Sequence, residues 1–372
     1  MSRNMIFHLP FKLVVDVPSG SVLRPLKMIQ AFRNIGYDVD MIMGTGQERK
    51  ELIAKIKARI RQGIPYDFLY SESSNLPTLL TEDNRVPSYP LMDFDFFRYC
   101  RSYKIKIGLF YRDIYWKFRA FRKNVPLVKM LLAYPFYEYD ICRYKQLVNI
   151  LYLPSLPMAN YIHYSGRLDA LPPGIGASCG KDIDDIPDHP ESALQLNIFY
   201  VGGLKDFYKS ERLFETVGRN DNLTLTFCCR EEEWAEDRKK YMQYENPRIR
   251  VIHKSGRDLI PHYKVADICS LFLEPTEYRA FAMPFKLFEY LGFRKPVIAT
   301  SGTAAGDFVK RNDVGWHIDY SVGSLELCLR GIANDKDILA QKRENIDRIL
   351  PAHTWEARAE KVARDLGKDS SP

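Results

Sequence analysis

The sequence predicts an α/β protein built from two doubly wound, mostly parallel sheets. Three observations predict it. Strand-like and helix-like segments alternate in two separate runs. A stretch rich in Gly, Pro and Asp, 171–191, lies between the runs. The chain has 372 residues, a length that suits two domains of about 150 residues better than one. Alternation of this kind implies a parallel sheet with helices on both faces.

The first run opens with an apolar strand over 5–16. A Ser-Gly-Ser turn follows at Ser19, Gly20 and Ser21. Residues 23–35 carry Leu26, Ile29 and Phe32 at helical spacing and end at Gly36; 38–43 reads as a buried strand, closed by Gly44 and Gly46. The pattern repeats as helix 52–61 and strand 67–71, then helix 94–102 and strand 105–110. The second run begins near Leu196 with strand 197–201, ending in Gly202-Gly203. Helix 210–217, strand 224–228, helix 234–244 and strand 250–253 follow. Next come helix 258–265, strand 267–272, helix 285–292 and strand 296–299. A final helix is expected over 354–366. The domains are therefore placed at 1–175 with 354–372, and at 176–353. In such a pair, loops at the carboxyl ends of the strands line a cleft where ligands bind.

Hydrophobic residues make up 46% and charged residues 27%, ordinary values for a globular chain. No run of about 18 uncharged apolar residues is present, so no membrane span is expected. The apolar start is broken by Lys12 and Asp16 and reads as a strand, not a signal peptide. Seven cysteines are scattered without a C-x-x-C pair, which fits reduced thiols in a cytoplasm. The net charge of +7 is uneven: residues 98–145 hold twelve Lys or Arg against three acids. That surface implies an anionic partner. Within it, thirteen aromatics fall between Tyr99 and Tyr144. The stretch WKFRAFRKNVPLVKMLLAYPFYEYD could lie on a membrane, basic residues toward lipid phosphates, or form an ordinary helix packed on the sheet. No RNA-binding signature accompanies it, and nucleic acid is not an expected partner.

The strongest chemical signal is PFKLFEYLGFRKPVIA, 284–299. A loop enters a helix at Pro284, and free backbone N–H groups there suit a phosphate. Glu289, inside that helix, can accept both hydroxyls of a ribose, or can be a plain solvated helix residue. In the first run, Asp113 in LFYRDIYW stands beside Arg112 at a strand end. It could orient or deprotonate a hydroxyl, or serve only as an ion-pair partner. Gly20 permits close backbone approach to a ligand, and Arg24-Pro25 opens the helix after it. Asp93, in YPLMDFDFF, is a second acid in this run. The histidines are isolated, and no metal cluster, Walker A sequence or dinucleotide fingerprint is present. No metal or cofactor is expected.

With these residues in view, the second run resembles the nucleotide-binding domain of GT-B glycosyltransferases of the family-4 type. The resemblance rests on FYVGGL, CCRE, KVADIC, PFKLFEYLGFRKPVIAT and GTAAGDFVKRNDVGW. It covers residues 197–332 well and the first run more loosely. It implies a GT-B fold: two facing Rossmann-like domains, with the C-terminal helix crossing back to the first. It also implies a transferase moving sugar from a nucleotide-sugar donor to a glycan or lipid-linked acceptor, with retention and without metal. The setting it suggests is bacterial-type surface polysaccharide or glycoconjugate synthesis, in the cytoplasm or on the inner face of the membrane.

By this likeness Gly202, Gly203, Met283, Pro284, Phe285, Lys286 and Glu289 hold the donor. Ser19, Gly20, Ser21, Arg24, Asp93, Arg112 and Asp113 belong to the acceptor side. Asp113, Lys209 and Arg230 are the expected catalytic residues. The chain matches the P-x-K-x-x-E-Y variant of the motif. It departs from the common pattern at Phe281, where a Glu is frequent, and at Gly203, where an Arg is frequent. Lys209 then stands for the family's Lys, and Arg230 or Arg257 for the missing Arg. Such groups would stabilise the charge of the leaving diphosphate. Two other readings share the architecture: a degenerate binding or scaffold protein, and an epimerase of the same fold.

Overall fold

The computed structural model describes residues 3–13, 20–118, 127–176, 195–204, 208–335 and 337–367. The chain divides into two compact units. One comprises Met1–Pro173 with Trp355–Pro372, the other Gly174–Thr354.

In the first unit the strands are β1 (Arg3–His8), β2 (Tyr37–Ile42), β3 (Phe68–Glu72), β4 (Lys106–Phe110), β5 (Ile150–Leu153) and β6 (Leu168–Ala170). They form one sheet in the order β2-β1-β3-β4-β5-β6, and every pairing is parallel. The helices are α1 (Gly20–Asn34), α2 (Gly46–Arg61), α3 (Met92–Ser102), α4 (Leu127–Leu147) and the final α12 (Trp355–Leu366). Sheet position explains strand composition. Central β3 is buried at all five residues, whereas edge strand β2 alternates, with Asp38 exposed. The expected strand over 5–16 stops at His8, because Pro10 has no N–H to continue a ladder. Helix α2 starts earlier than expected. Thr45 and Glu48 form a reciprocal capping box that satisfies its first amides.

Helix α12 returns to this unit and lies against α1 and β4. Gly108 on β4 makes the room: a Cβ there would come within 2.6 Å of Leu366. The Tyr152 hydroxyl donates to Asp365 at 3.0 Å, and Asn34 donates to Glu356 at 2.7 Å. Trp355, Val362 and Leu366 are buried, so the last helix supplies core and is not an appendage.

The second unit contains β7 (Leu196–Val201), β8 (Leu223–Cys228), β9 (Ile249–Ile252), β10 (Ile268–Leu271), β11 (Val297–Thr300) and β12 (Gly315–Ile318), in the order β12-β11-β10-β7-β8-β9. All its pairs are parallel as well. Its helices are α5 (Glu211–Arg219), α6 (Glu231–Tyr241), α7 (Ile260–Val265), α8 (Phe285–Gly292), α9 (Ala304–Asn312), α10 (Val322–Asn334) and α11 (Asp337–Ile349). The sheet has a core on each face. Phe199, Leu271, Leu287 and Leu291 pack on one side, and Ile198, Tyr200, Leu225 and Phe227 on the other. Successive residues of β7 point to opposite cores, as strand geometry requires.

Strand order fixes where each sheet can bind. In an open parallel sheet, a crevice forms at the carboxyl ends where the order reverses. In the first unit that point lies between β1 and β3; in the second it lies between β7 and β10. Among the described residues, no helix is long and apolar enough to cross a membrane.

Candidate active site

The second unit assembles its site at the β7/β10 reversal. Strand β7 delivers Gly202 and Gly203, and the segment after β10 leads to Pro284 and α8. Gly202 is required there. A Cβ would run into the Tyr200 hydroxyl and lie 2.6 Å from Lys286 Nζ, so the lysine reaches the glycine backbone from the first turn of α8. Lys286 also sits 5.6 and 5.2 Å from the ring centres of Tyr200 and Tyr208. Burial lowers its ammonium pKa to about 8; Glu289 opposes that shift and Arg279 adds to it. Glu289, one turn further along α8, is shifted up by burial, partly offset by Tyr263 and Lys286. Arg279 lies 5.0 Å from the Tyr208 ring centre, and among the described residues its buried Nε has no hydrogen-bond partner. Two cations thus converge on a diglycine turn, with a carboxylate on the helix behind them.

The residues expected around this point divide. Met283, Pro284 and Phe285 form the entry to α8, where Pro284 is the N-cap residue and no side chain caps the helix. The Leu287 amide in the first turn donates to the Pro284 carbonyl at 3.3 Å. Lys209 forms an exposed ion pair with Glu274 at 2.7 Å. Arg230, 69% exposed, pairs with Glu233 at 3.0 Å. Phe281, standing where a Glu is frequent, is buried against Tyr278. Gly203 has a physical reason. A Cβ there would meet Glu233 Oε2 at 3.1 Å and the Tyr208 ring at 3.2 Å, and the same Glu233 oxygen accepts from the Leu204 amide. The place of a longer side chain is taken, and Arg279 and Lys286 are the cations over the Tyr208 ring. Arg279 sits in a loop among Glu, Thr and Tyr, so nothing local set it apart.

The first unit gathers charge at its β1/β3 reversal. Glu72 ends β3 with no exposure at all. It accepts from the Tyr70 hydroxyl at 3.0 Å and from Arg112 Nη2 at 3.2 Å, and Arg24 Nε lies 3.3 Å away. Arg24, on α1, is 2% exposed and stacks 3.4 Å above the Phe110 ring centre. Burial pulls the Arg112 pKa down, against the pull of Glu72. The Arg112 amide donates to Ser73 Oγ at 3.0 Å, which fixes the backbone leading into Asp113. Asp113 is partly exposed and accepts from the Ile114 amide at 2.7 Å. Gly20 and Ser21 form the first turn of α1, and Ser19 lies outside the described residues.

Asp93 is placed elsewhere, inside the unit. His8 Nε2 bonds it at 2.9 Å while His8 Nδ1 bonds Ser71 Oγ at 2.8 Å, and Arg49 Nε lies 3.3 Å from it. Burial raises its pKa, but the His8 bond and the Arg49 charge outweigh that and hold it low. With 3% exposure, Asp93 ties α3 to β1 and α2. Glu72 was not singled out in the sequence, where a lone acid ending an apolar run looks like a strand reaching solvent. Among the described residues, no group of three or more His, Cys, Asp or Glu is placed to hold a metal ion.

No protein-family model and no curated protein matches the sequence. Solved structures do. A glycosyltransferase from Rickettsia africae is 13% identical, with full coverage of both chains and a TM-score of 0.64. Sucrose-phosphate synthase from Thermosynechococcus elongatus is 12% identical, with 97% of this chain and 98% of that chain covered and a TM-score of 0.63. Anabaena HepE, in complex with UDP and glucose, is 12% identical over 97% and 99%, with a TM-score of 0.61. The two six-stranded parallel sheets with flanking helices therefore form the GT-B fold.

Proposed function

We propose that the chain is a glycosyltransferase using a nucleotide-sugar donor. The observation that carries this reading is the convergence of Lys286, Arg279 and Glu289 on Gly202-Gly203 at the sheet reversal of the second unit. A nucleoside diphosphate fits this set. Lys286, Arg279 and the first amides of α8 face the phosphates, and Glu289 takes the ribose hydroxyls. HepE was solved with UDP-glucose, which makes that donor the first to test here.

In this reading the first unit holds a glycan or lipid-linked acceptor, with Asp113 orienting its hydroxyl. Departure of the diphosphate builds negative charge that Lys286 and Arg279 stabilise, and the exposed Lys209 and Arg230 can join by leaving their carboxylate partners Glu274 and Glu233. Retention without metal, and a place in surface polysaccharide or glycoconjugate synthesis, belong to the same reading. So does work at the inner face of a membrane. On α4, Val128, Leu131 and Leu132 are 69%, 62% and 67% exposed at i, i+3, i+4 spacing, with Lys129 exposed beside them.

Calorimetry of the purified chain with UDP, GDP, ADP and their sugars tests the proposal. One nucleotide family should bind, and Glu289→Ala should remove that binding. Unchanged nucleotide affinity in that variant would sink the assignment. Donor hydrolysis by the wild type separates an enzyme from a protein that only binds.

A further inference from the structure

At its sheet reversal the first unit buries two guanidiniums around one fully buried carboxylate. Arg24 and Arg112 share one carboxylate, Glu72. A third guanidinium, that of Arg358 on α12, is close enough to Arg24 for its pKa to be lowered to about 10 by burial and by that neighbour. Both oxygens of Glu72 are engaged. Yet Arg24 Nη1, Arg112 Nε and Arg112 Nη1 are buried and, among the described residues, have no hydrogen-bond partner. Native interiors rarely leave three donors of charged groups unmade, and an uncompensated buried charge is costlier still. These donors do not lie at an arbitrary depth in the fold. Arg24 stands near the start of α1 and Arg112 just past the end of β4, both against Glu72 at the carboxyl end of β3, the side of the β1/β3 reversal on which an open sheet presents a ligand crevice. Asp113, the one candidate acid for the acceptor hydroxyl, is the next residue after Arg112.

We infer that Arg24 and Arg112 receive an oxyanion, a phosphate or a carboxylate, borne by the acceptor. Glu72 then has a second task. Held by Tyr70 and by both guanidiniums, it fixes the two forks in place and leaves their remaining edges to the ligand. The acceptor is accordingly an anionic molecule, a phosphorylated lipid or a glycan with an acidic sugar, and not a neutral glycan. This assignment rests on the glycosyltransferase reading for the word acceptor, but the anion site itself can be tested apart from it.

The test uses the full chain carrying Lys286→Gln, which removes the principal cation of the donor side. Calorimetry with inorganic phosphate should show one site per chain, and adding Arg112→Gln should weaken it at least tenfold. A parallel titration with acetate sorts the two sources. Binding of phosphate alone points to a phosphorylated acceptor, and binding of acetate as well to an acidic sugar. Phosphate affinity that ignores Arg112→Gln, or no binding at all, overturns the inference. Should Arg112→Gln fail to fold by circular dichroism, crystals of the wild type soaked in tungstate decide. An anomalous peak within hydrogen-bond distance of Arg24 and Arg112 supports the site; a peak only near Lys286, or only water between the arginines, refutes it. UDP binding to the wild type is followed separately. If UDP fails to bind while phosphate is held at Arg112, the donor reading falls and the anion site stands.

Discussion

The two sheet reversals of this protein treat charge in opposite ways. In the first unit, Glu72 is sealed from solvent and locked to Arg24, Arg112 and Tyr70. In the second, Lys286 and Glu289 stand one helical turn apart, and the lysine leans on tyrosine rings and a glycine. The first arrangement makes charge part of the scaffold. The second keeps charge available, at the cost of shifted pKa values. Glu72, sealed between the two guanidiniums, should report mainly on stability, and Lys286 and Glu289 mainly on binding.

The sharpest way to break this contrast is Glu72→Ala. It strips the shared carboxylate from two buried guanidiniums and should destabilise the first unit by about 3–5 kcal/mol, read from urea unfolding. A loss below about 1 kcal/mol would mean that these charges are not part of the scaffold. Next comes Glu289→Ala, which should lower nucleotide affinity tenfold or more while moving the unfolding midpoint little; a large stability loss would erase the distinction between the two sites. The third concerns pH. Lys286 is cationic below about 8 in the folded chain, so diphosphate affinity should fall as pH rises through 8, and Lys286→Met should flatten the profile. The sign for stability is opposite. The unfolded lysine binds its proton up to its ordinary value near 10.4, so this group's contribution to stability rises between pH 8 and that value.

A smaller effect should come from Asp140 on α4. Burial raises its pKa to about 7, against bonds from the Thr78 amide and Tyr144. The folded form holds the proton more tightly than the unfolded form, so stability should decline from about pH 4 to pH 7 on account of this group. Asp140→Asn should remove that slope, measured as denaturation midpoints at pH 5 and pH 8. The smallest change is expected from Arg230→Ala. Arg230 itself is 69% exposed, so its pair with the buried Glu233 is screened by solvent and should be worth under about 1 kcal/mol, while turnover tests whether it helps the leaving group.

How far the sequence spoke for each region follows from the same physics. Strand 197–201 announces itself through an apolar run stopped by Gly202, and helix 285–292 through helical apolar spacing between Pro284 and Gly292. Three strands, Ile150–Leu153, Leu168–Ala170 and Gly315–Ile318, went unseen because they are only three or four residues long. Glu289 and Lys286 were legible because a loop, a proline and a helix frame them. Glu72 and Arg279 were not. Their roles depend on what a distant segment brings to them, Arg112 in one case and Tyr208 in the other. Asp93 illustrates the converse. Its acidic, aromatic surroundings suggested a ligand group, and the partners that make it structural lie 85 and 44 residues away in sequence.

The return of the last helix bears on how the chain is made. The first unit needs Trp355–Leu366 to cover Gly108 and complete its core, yet 181 residues, Gly174–Thr354, intervene. Both ends of that intervening unit meet at one parallel bridge, Ile175 with Thr354, so it can close on itself as an inserted domain. During synthesis at about 5–20 residues per second, the apolar groove over β4 stays open for roughly 10–40 s after its own strands have emerged. The second domain can therefore finish folding before the first, and the arrival of Trp355–Leu366 is what releases the first unit from that exposed state.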